Sequence, residues 1–177
     1  KTGANAFMRD APASGTTAKD ATHTLSALGA HYLAGLLAHA NGAAVLCTPT
    51  ANGYARFQPN ALAPQSVVWG RDNRGAMLRV IGGAHDASTR IENRLGEPAA
   101  NPYLYLASQI HAGLAGIEGA LEAPPATESP YDDAAQRIPN SLGTAISAFE
   151  ADMQAHHART DAEIDRRVRP GGLVVDD

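Results

Sequence analysis

Cysteine is nearly absent from this 177-residue chain: Cys47 stands alone. That excludes an intrachain disulfide and a cysteine-built metal cluster, and points to an intracellular, cytoplasmic setting. Aromatic residues make up only 5% of the sequence, so the stacking platforms of single-strand nucleic-acid binders are missing. Positive charge is not in excess either. The net charge of −4 and an isoelectric point near 5.9 offer no general attraction to polyanions. Nucleic acid is therefore not an expected partner, and any phosphate chemistry has to come from locally placed arginines. No apolar run approaches the roughly 20 residues that span a bilayer, and no charged-then-apolar leader opens the chain. We read it as soluble, with no membrane partner. Walker-type and dinucleotide glycine patterns are absent, as is any internal repeat.

What is present organises into one domain. Residues 1–23 start at Lys1 and have loop composition, as expected of a linker from a longer upstream part. Residues 24–150 hold the periodic segments, and residues 151–177 read as a helical or irregular tail. Both ends read as cut. From Thr24 to Ala40, Leu25, Leu28, Tyr32, Leu33, Leu36 and Leu37 form a helical stripe, with Asn41-Gly42 as its stop. His31 and His39 on this helix read as ordinary surface residues. "SVVWGRDNRGAMLRVI" (66–81) reads as two strands paired antiparallel through the turn formers 72–75. Asn101-Pro102 opens the clearest helix, with Leu104, Ala107, Ile110, Leu114, Ile117 and Leu121 on its expected buried side. Ser141 caps a third helix whose apolar face is Leu142, Ala145, Ile146 and Phe149, with His156 and His157 exposed at a fraying end. The fold class expected is α+β, an antiparallel sheet flanked by helices.

Only 18% of the residues are charged, yet Arg90, Glu92 and Arg94 alternate within "RIENR". On a strand all three would share one face. With Arg56, Arg74 and Arg79 they place six charges in 39 residues, too many for a core. A salt-bridged sheet face in water explains this; so does an anion site, since arginine suits bidentate contact with carboxylate and phosphate. Composition does not choose between the two.

Four ordered motifs carry a family resemblance. "PTANGYARFQPNALAP" (49–64), "RDNRGAMLRV" (71–80), "RIENR" (90–94) and "EPAANPYLYLASQIHAGLAGI" (97–117) resemble, in order and spacing, consecutive signatures of the glutamine synthetase family. The likeness runs from about residue 25 to about residue 142 and covers the C-terminal part of the catalytic domain. It implies an ATP-dependent ligase that phosphorylates the γ-carboxylate of glutamate and lets an amine attack the acyl phosphate. It implies ATP and Mg²⁺ or Mn²⁺ as cofactors, and a homo-oligomer for the full-length protein. By the same resemblance Arg56 would hold the α-carboxylate of glutamate, Arg74 would contact nucleotide phosphate and substrate, and Arg79 would bind ATP phosphates. Glu92 would be a metal ligand, and Arg94 would contact the carboxylate being phosphorylated.

The sequence departs from the family pattern in two ways. Leu62 stands where many members have a glutamate that shapes the ammonium site. That makes an organic amine the expected nucleophile, as in the similar γ-glutamylpolyamine and γ-glutamylanilide synthetases. The family's other metal-binding glutamates and its metal-binding histidine lie upstream of this chain, so the chain alone is expected to be inactive. Tyr131 falls near a tyrosine that is adenylylated in some bacterial members, in different flanking sequence. The alternative from another functional class is a non-catalytic anion-binding or assembly module on the same fold.

Overall fold

Ser26 opens the first helix. Its hydroxyl accepts the Gly29 N–H at 3.0 Å, satisfying one of the donors that a helix start leaves bare. Helix α1 runs Ala27–Ala38 and buries Leu33, Leu36 and Leu37, whereas Leu28 of the expected stripe is exposed. The computed structural model describes residues 3–9, 25–58, 61, 63–131 and 135–168, with side chains as far as 158. Most of the expected upstream linker, and Leu62, lie outside them. Residues 3–9 pack on the domain: Phe7 meets the Tyr32 ring at 5.1 Å between centroids, and Asn5 Nδ2 donates to the Thr89 carbonyl at 2.7 Å.

The helix does not stop at Asn41-Gly42. The chain turns at His39, with φ −101° and ψ 10°, and resumes at once as α2 (Ala40–Cys47). Tertiary contact overrides the local stop signal. Asn41 Nδ2 donates to the Arg137 carbonyl at 3.3 Å, and Gly42 lies directly against the side chain of Asp152. The two histidines are also more than surface residues. His31 Nδ1 sits 2.7 Å from the Leu121 carbonyl oxygen, and His39 Nδ1 sits 3.0 Å from Asp152 Oδ1, so each ties its helix to a distant segment.

The sheet has three strands in the order β1 (Trp69–Arg71), β2 (Leu78–Ile81), β3 (Arg90–Asn93). β2 and β3 are antiparallel as expected of this fold, but β1 and β2 are parallel, with Trp69 opposite Leu78 and Arg71 opposite Val80. The sheet is thus mixed, which corrects the antiparallel hairpin expected over 66–81. Turn formers are present at 72–75, but they wind the chain rather than reverse it. Asp72 takes a left-handed φ of 50°, and Asn73 Oδ1 accepts the Gly75 N–H at 3.0 Å in an Asx turn. In β2, Leu78 and Val80 are buried while Arg79 and Ile81 stay partly open, the alternation that period two demands. Helices and this small sheet share one core, centred on Leu33, Cys47, Met77, Leu78, Val80 and Leu95. The α+β class holds.

Helix α3 (Pro102–Glu118) begins where the sequence places it: Asn101 Oδ1 accepts the N–H of Tyr103 at 3.0 Å and of Leu104 at 3.4 Å, with Pro102 at the first position. Asn101→Ala is expected to cost about 1 kcal/mol, read as a lowered urea midpoint at unchanged slope. The buried face differs from the expected one. Ala112, Gly113 and Gly116 are buried, whereas Leu104 is 52%, Ile110 52% and Leu114 44% exposed. Small residues win this face because they let the α3 backbone touch α1: a Cβ on Gly35 would overlap the Ala112 carbonyl oxygen and lie 2.7 Å from Gly116 N.

Helix α4 (Leu142–Val168) is capped by Ser141, whose Oγ accepts the Thr144 N–H at 3.2 Å. Ala145 is buried, Leu142 and Phe149 are partly buried, and Ile146 is 43% exposed. The helix continues well past residue 150, so His156 and His157, both exposed, lie within it and not at a fraying end. Among the described residues no helix is long and apolar enough to cross a membrane.

Candidate functional site

Register builds the centre of the site. On the β2–β3 pair, Arg79 lies directly opposite Glu92, close enough for side chains on one face to meet. Arg79 Nη1 donates to Glu92 Oε2 at 2.9 Å. Arg94 lies just past the end of β3, its backbone N–H bound to the Met77 carbonyl at 2.9 Å, and its Nη1 donates to Glu92 Oε1 at 2.5 Å. Glu92 thus uses one oxygen for each guanidinium. Desolvation pushes the Glu92 carboxyl upward, but the hydrogen bonds from Arg94 and Arg79 outweigh it and hold the group below its ordinary value. Asp72 takes the rest of the Arg79 fork, accepting from Nε at 2.8 Å and also from Nη2. The Asp72 hydrogen bond is the main cause of the raised pKa of Arg79.

Arg90, the third alternating charge, does not join. It is exposed, and its Nη1 donates to the Ser88 carbonyl at 3.0 Å. Arg74 is also exposed and lines a separate shallow cleft with Asn73, Glu128 and Tyr131.

Arg56 reaches the site through the backbone of Arg94 and Leu95. A two-turn 3-10 segment, Ala51–Arg56, starts at Thr50, whose Oγ1 accepts the Gly53 N–H at 3.1 Å. Arg56 at the end of this turn donates from Nη1 to the Arg94 carbonyl at 3.4 Å and from Nη2 to the Leu95 carbonyl. Its Nε is buried with no hydrogen-bond partner. Burial pulls the Arg56 guanidinium below its ordinary pKa, with Glu97 pulling the other way. Arg79 and Arg94 are thus neutralised by carboxylates, whereas Arg56 is held by neutral carbonyls that leave its charge in place. A half-buried cation without a bonded acid is a natural seat for an anion.

Two participants were not legible as site residues in the sequence. Asp72 reads as a turn former, and its role as the second acid on Arg79 comes from the left-handed turn that swings it back. Glu97 sits inside the motif "EPAANPY" and reads as part of a helix lead-in. Its carboxylate accepts the Thr50 N–H at 3.0 Å and the Thr50 hydroxyl at 3.2 Å. The only hint was an acid placed next to a segment otherwise made of small and turn residues.

A divalent cation does not fit the described residues by themselves. Both Glu92 oxygens are engaged by guanidinia, and among the described residues no group of three histidine, cysteine, aspartate or glutamate side chains could hold a metal. Hard cations of this type need six or more oxygen donors.

Comparison with known proteins agrees with the four motifs. The chain is 45% identical over 130 residues to a γ-glutamylanilide synthase of Acinetobacter sp, covering 73% of this chain and 26% of that protein. It is 43% identical over 121 residues to a γ-glutamylethanolamide synthetase of Streptomyces coelicolor, covering 68% of this chain and 26% of the relative. A glutamine synthetase of Thermococcus kodakarensis is 36% identical over 143 residues, covering 76% of this chain and 32% of that enzyme. The chain therefore spans about a quarter to a third of these relatives. Among solved structures, a GmaS/ADP complex superposes with a TM-score of 0.67 at 27% identity, over 93% of this chain and 42% of that one. The family model described as glutamine synthetase, catalytic domain, matches residues 10–166, and on that match the chain belongs to the glutamine synthetase catalytic-domain family.

Proposed function

We propose that this chain supplies the arginine-rich part of the active site of an ATP-dependent ligase that joins glutamate to an organic amine. The observation that carries the proposal is Arg56, half-buried, hydrogen-bonded among the described residues to the Arg94 and Leu95 carbonyls and stacked over Phe57, next to the Arg79–Glu92–Arg94 bridge. Arg56 would take the α-carboxylate of glutamate. Arg94 would face the γ-carboxylate, and Arg79 and Arg74 would take the nucleotide phosphates. In the first step a γ-carboxylate oxygen attacks the γ-phosphorus of ATP and the bond to the bridging oxygen breaks, releasing ADP. In the second the amine nitrogen attacks the acyl carbon, phosphate leaves with the bonding pair, and the amine loses a proton. Both steps build charge on oxygens that fixed guanidinia are suited to stabilise.

Glu92 as a metal ligand requires donors beyond the described residues, so turnover is proposed for a protein in which further polypeptide joins this part. We further propose that this domain spans residues 24–150 and that the full protein is a cytoplasmic homo-oligomer.

The choice of amine rests on Leu62 and on the relatives named for anilide and ethanolamide products. A leucine cannot stabilise ammonium, and it offers apolar surface to an alkyl or aryl amine. That surface is worth about 1 to 3 kcal/mol, or about tenfold or more in kcat/KM. In the intact enzyme, glutamate-dependent ADP release is expected to be faster with an organic amine than with ammonium. Leu62→Glu should move the ratio toward ammonium by about tenfold. A preference for ammonium over every organic amine would overturn the substrate assignment. Anion binding with no ADP release under any amine would favour a non-catalytic module.

A further inference from the structure

The carboxylate of Glu97 faces a turn rather than the arginine bridge, and it is poised to control Arg56. Glu97 is tied from both sides: its backbone N–H donates to the Cys47 carbonyl at 3.0 Å, and its carboxylate receives both the N–H and the hydroxyl of Thr50. The Thr50 hydroxyl has one proton. Giving it to Glu97 orients the oxygen lone pairs toward the Gly53 N–H, which they accept at 3.1 Å. One carboxylate therefore sets the direction of the bond that starts the 3-10 turn. Gly53 leaves room for this, since any Cβ there would overlap Glu97 Oε2. Arg56 is the last residue of that turn, and its two donors reach the carbonyls of Arg94 and Leu95, just upstream of Glu97 in the chain. The Leu95 carbonyl also accepts the Thr48 hydroxyl at 2.8 Å, so the landing point of Arg56 is itself fixed.

We infer that Glu97 is a positioning residue for glutamate binding, acting through Thr50 and the 3-10 turn to aim the Arg56 guanidinium at the substrate carboxylate. The inference rests on the ligase reading above. Glu97 needs no contact with substrate in this role. It also places negative charge near Arg56, opposing the lowering of the guanidinium pKa by burial.

The test has two arms in the intact protein. In the kinetic arm, Glu97→Ala is expected to raise the KM for glutamate by about tenfold or more, with kcat and the KM for ATP changed by less than about threefold. Glu97→Gln, which can still accept the Thr50 N–H, should recover part of the loss. In an Arg56→Ala background, Glu97→Ala should add less than about twofold, because its effect passes through Arg56. In the structural arm, Glu97→Ala should speed amide exchange at Thr50 and Gly53 while leaving the β2–β3 amides unchanged. Full additivity with Arg56→Ala, or unchanged exchange at Thr50 and Gly53, would overturn the inference. So would faster exchange with an unaltered KM for glutamate. A wild-type protein without glutamate-dependent ADP release would refute the ligase reading instead. Glutamate binding by calorimetry would then decide for Glu97, with tenfold weakening in Glu97→Ala sustaining its role and equal affinity refuting it.

Discussion

Glu92→Ala is expected to lower kcat/KM for glutamate-dependent ADP release by about 10² to 10³ in the intact protein, with a much smaller loss of stability. The carboxylate bonds both guanidinia, one through each oxygen, so removing it does two things. Arg79 and Arg94 lose the bonds at 2.9 and 2.5 Å that help fix their planes, and the negative charge between two like charges is gone. Fixed orientation is what makes such groups effective against charge that develops during phosphoryl transfer, and it is lost before the fold is. The stability cost is modest because the Glu92 side chain is 34% exposed and Arg79 keeps Asp72. After solvent screening, about 1 kcal/mol is expected. pH dependence gives a second reading. The folded carboxyl ionises below its ordinary value, so the bridge contributes fully above the unfolded value of about 4.3 and drains away as pH falls through the folded value. The stability gap between wild type and Glu92→Ala should therefore be constant at neutral pH and close in acid. Kinetics within threefold of wild type, or a gap that widens in acid, would remove Glu92 from the site.

The residues that sequence reading located are those whose signal is local. Asn101-Pro102 announces a helix start because cap and first-turn geometry involve only neighbours. Glu92 and Arg94 could be set on one face in advance because period two acts between near neighbours, whereas the register that puts Glu92 opposite Arg79 came from the fold. Arg90 carries the same period, yet it points into solvent, since the pattern says which face a side chain takes and not how far the site extends along it. The parallel pairing of β1 with β2 was hidden for a related reason: Asp72 through Gly75 have turn chemistry, but the handedness at Asp72 decides where the chain goes next. Contacts made across long sequence separation left no local trace. His39 meets Asp152 at 3.0 Å across 113 residues, and Glu97 grips Thr50 across 47. The helix α3 face failed differently. A hydrophobic stripe identifies an amphipathic helix, but a row of Ala112, Gly113 and Gly116 can outcompete it where two backbones must touch.

That backbone contact yields the largest stability effect expected in the molecule. Gly35→Ala places a methyl group on the Ala112 carbonyl oxygen, 2.7 Å from Gly116 N and 2.8 Å from Gly116 Cα. All three neighbours are main-chain atoms inside α3, so no rotamer change relieves the overlap and the helices must move apart. Separation uncovers the core behind them, where Leu33 is 1% and Leu36 6% exposed. Alanine is the better helix former by about 0.5 to 1 kcal/mol, but overpacking of this kind costs about 1 to 3 kcal/mol and sometimes more. With the added loss of core packing, a net destabilisation of about 2 kcal/mol or more is expected for Gly35→Ala. Gly116→Ala should behave alike, since its Cβ would overlap the His31 carbonyl oxygen and lie 2.6 Å from Gly35 N. The double variant should fall short of additivity, because one separation of α1 from α3 relieves both clashes. Gly143 in α4 has nothing within 4 Å of where a Cβ would sit, so there the propensity term acts alone and Gly143→Ala should stabilise by up to about 1 kcal/mol. Urea unfolding of the three single variants reads the contrast directly: opposite signs for Gly35 and Gly143 confirm that close helix packing is the cause. A Gly35→Ala protein as stable as wild type would mean that the two helices do not touch backbone to backbone.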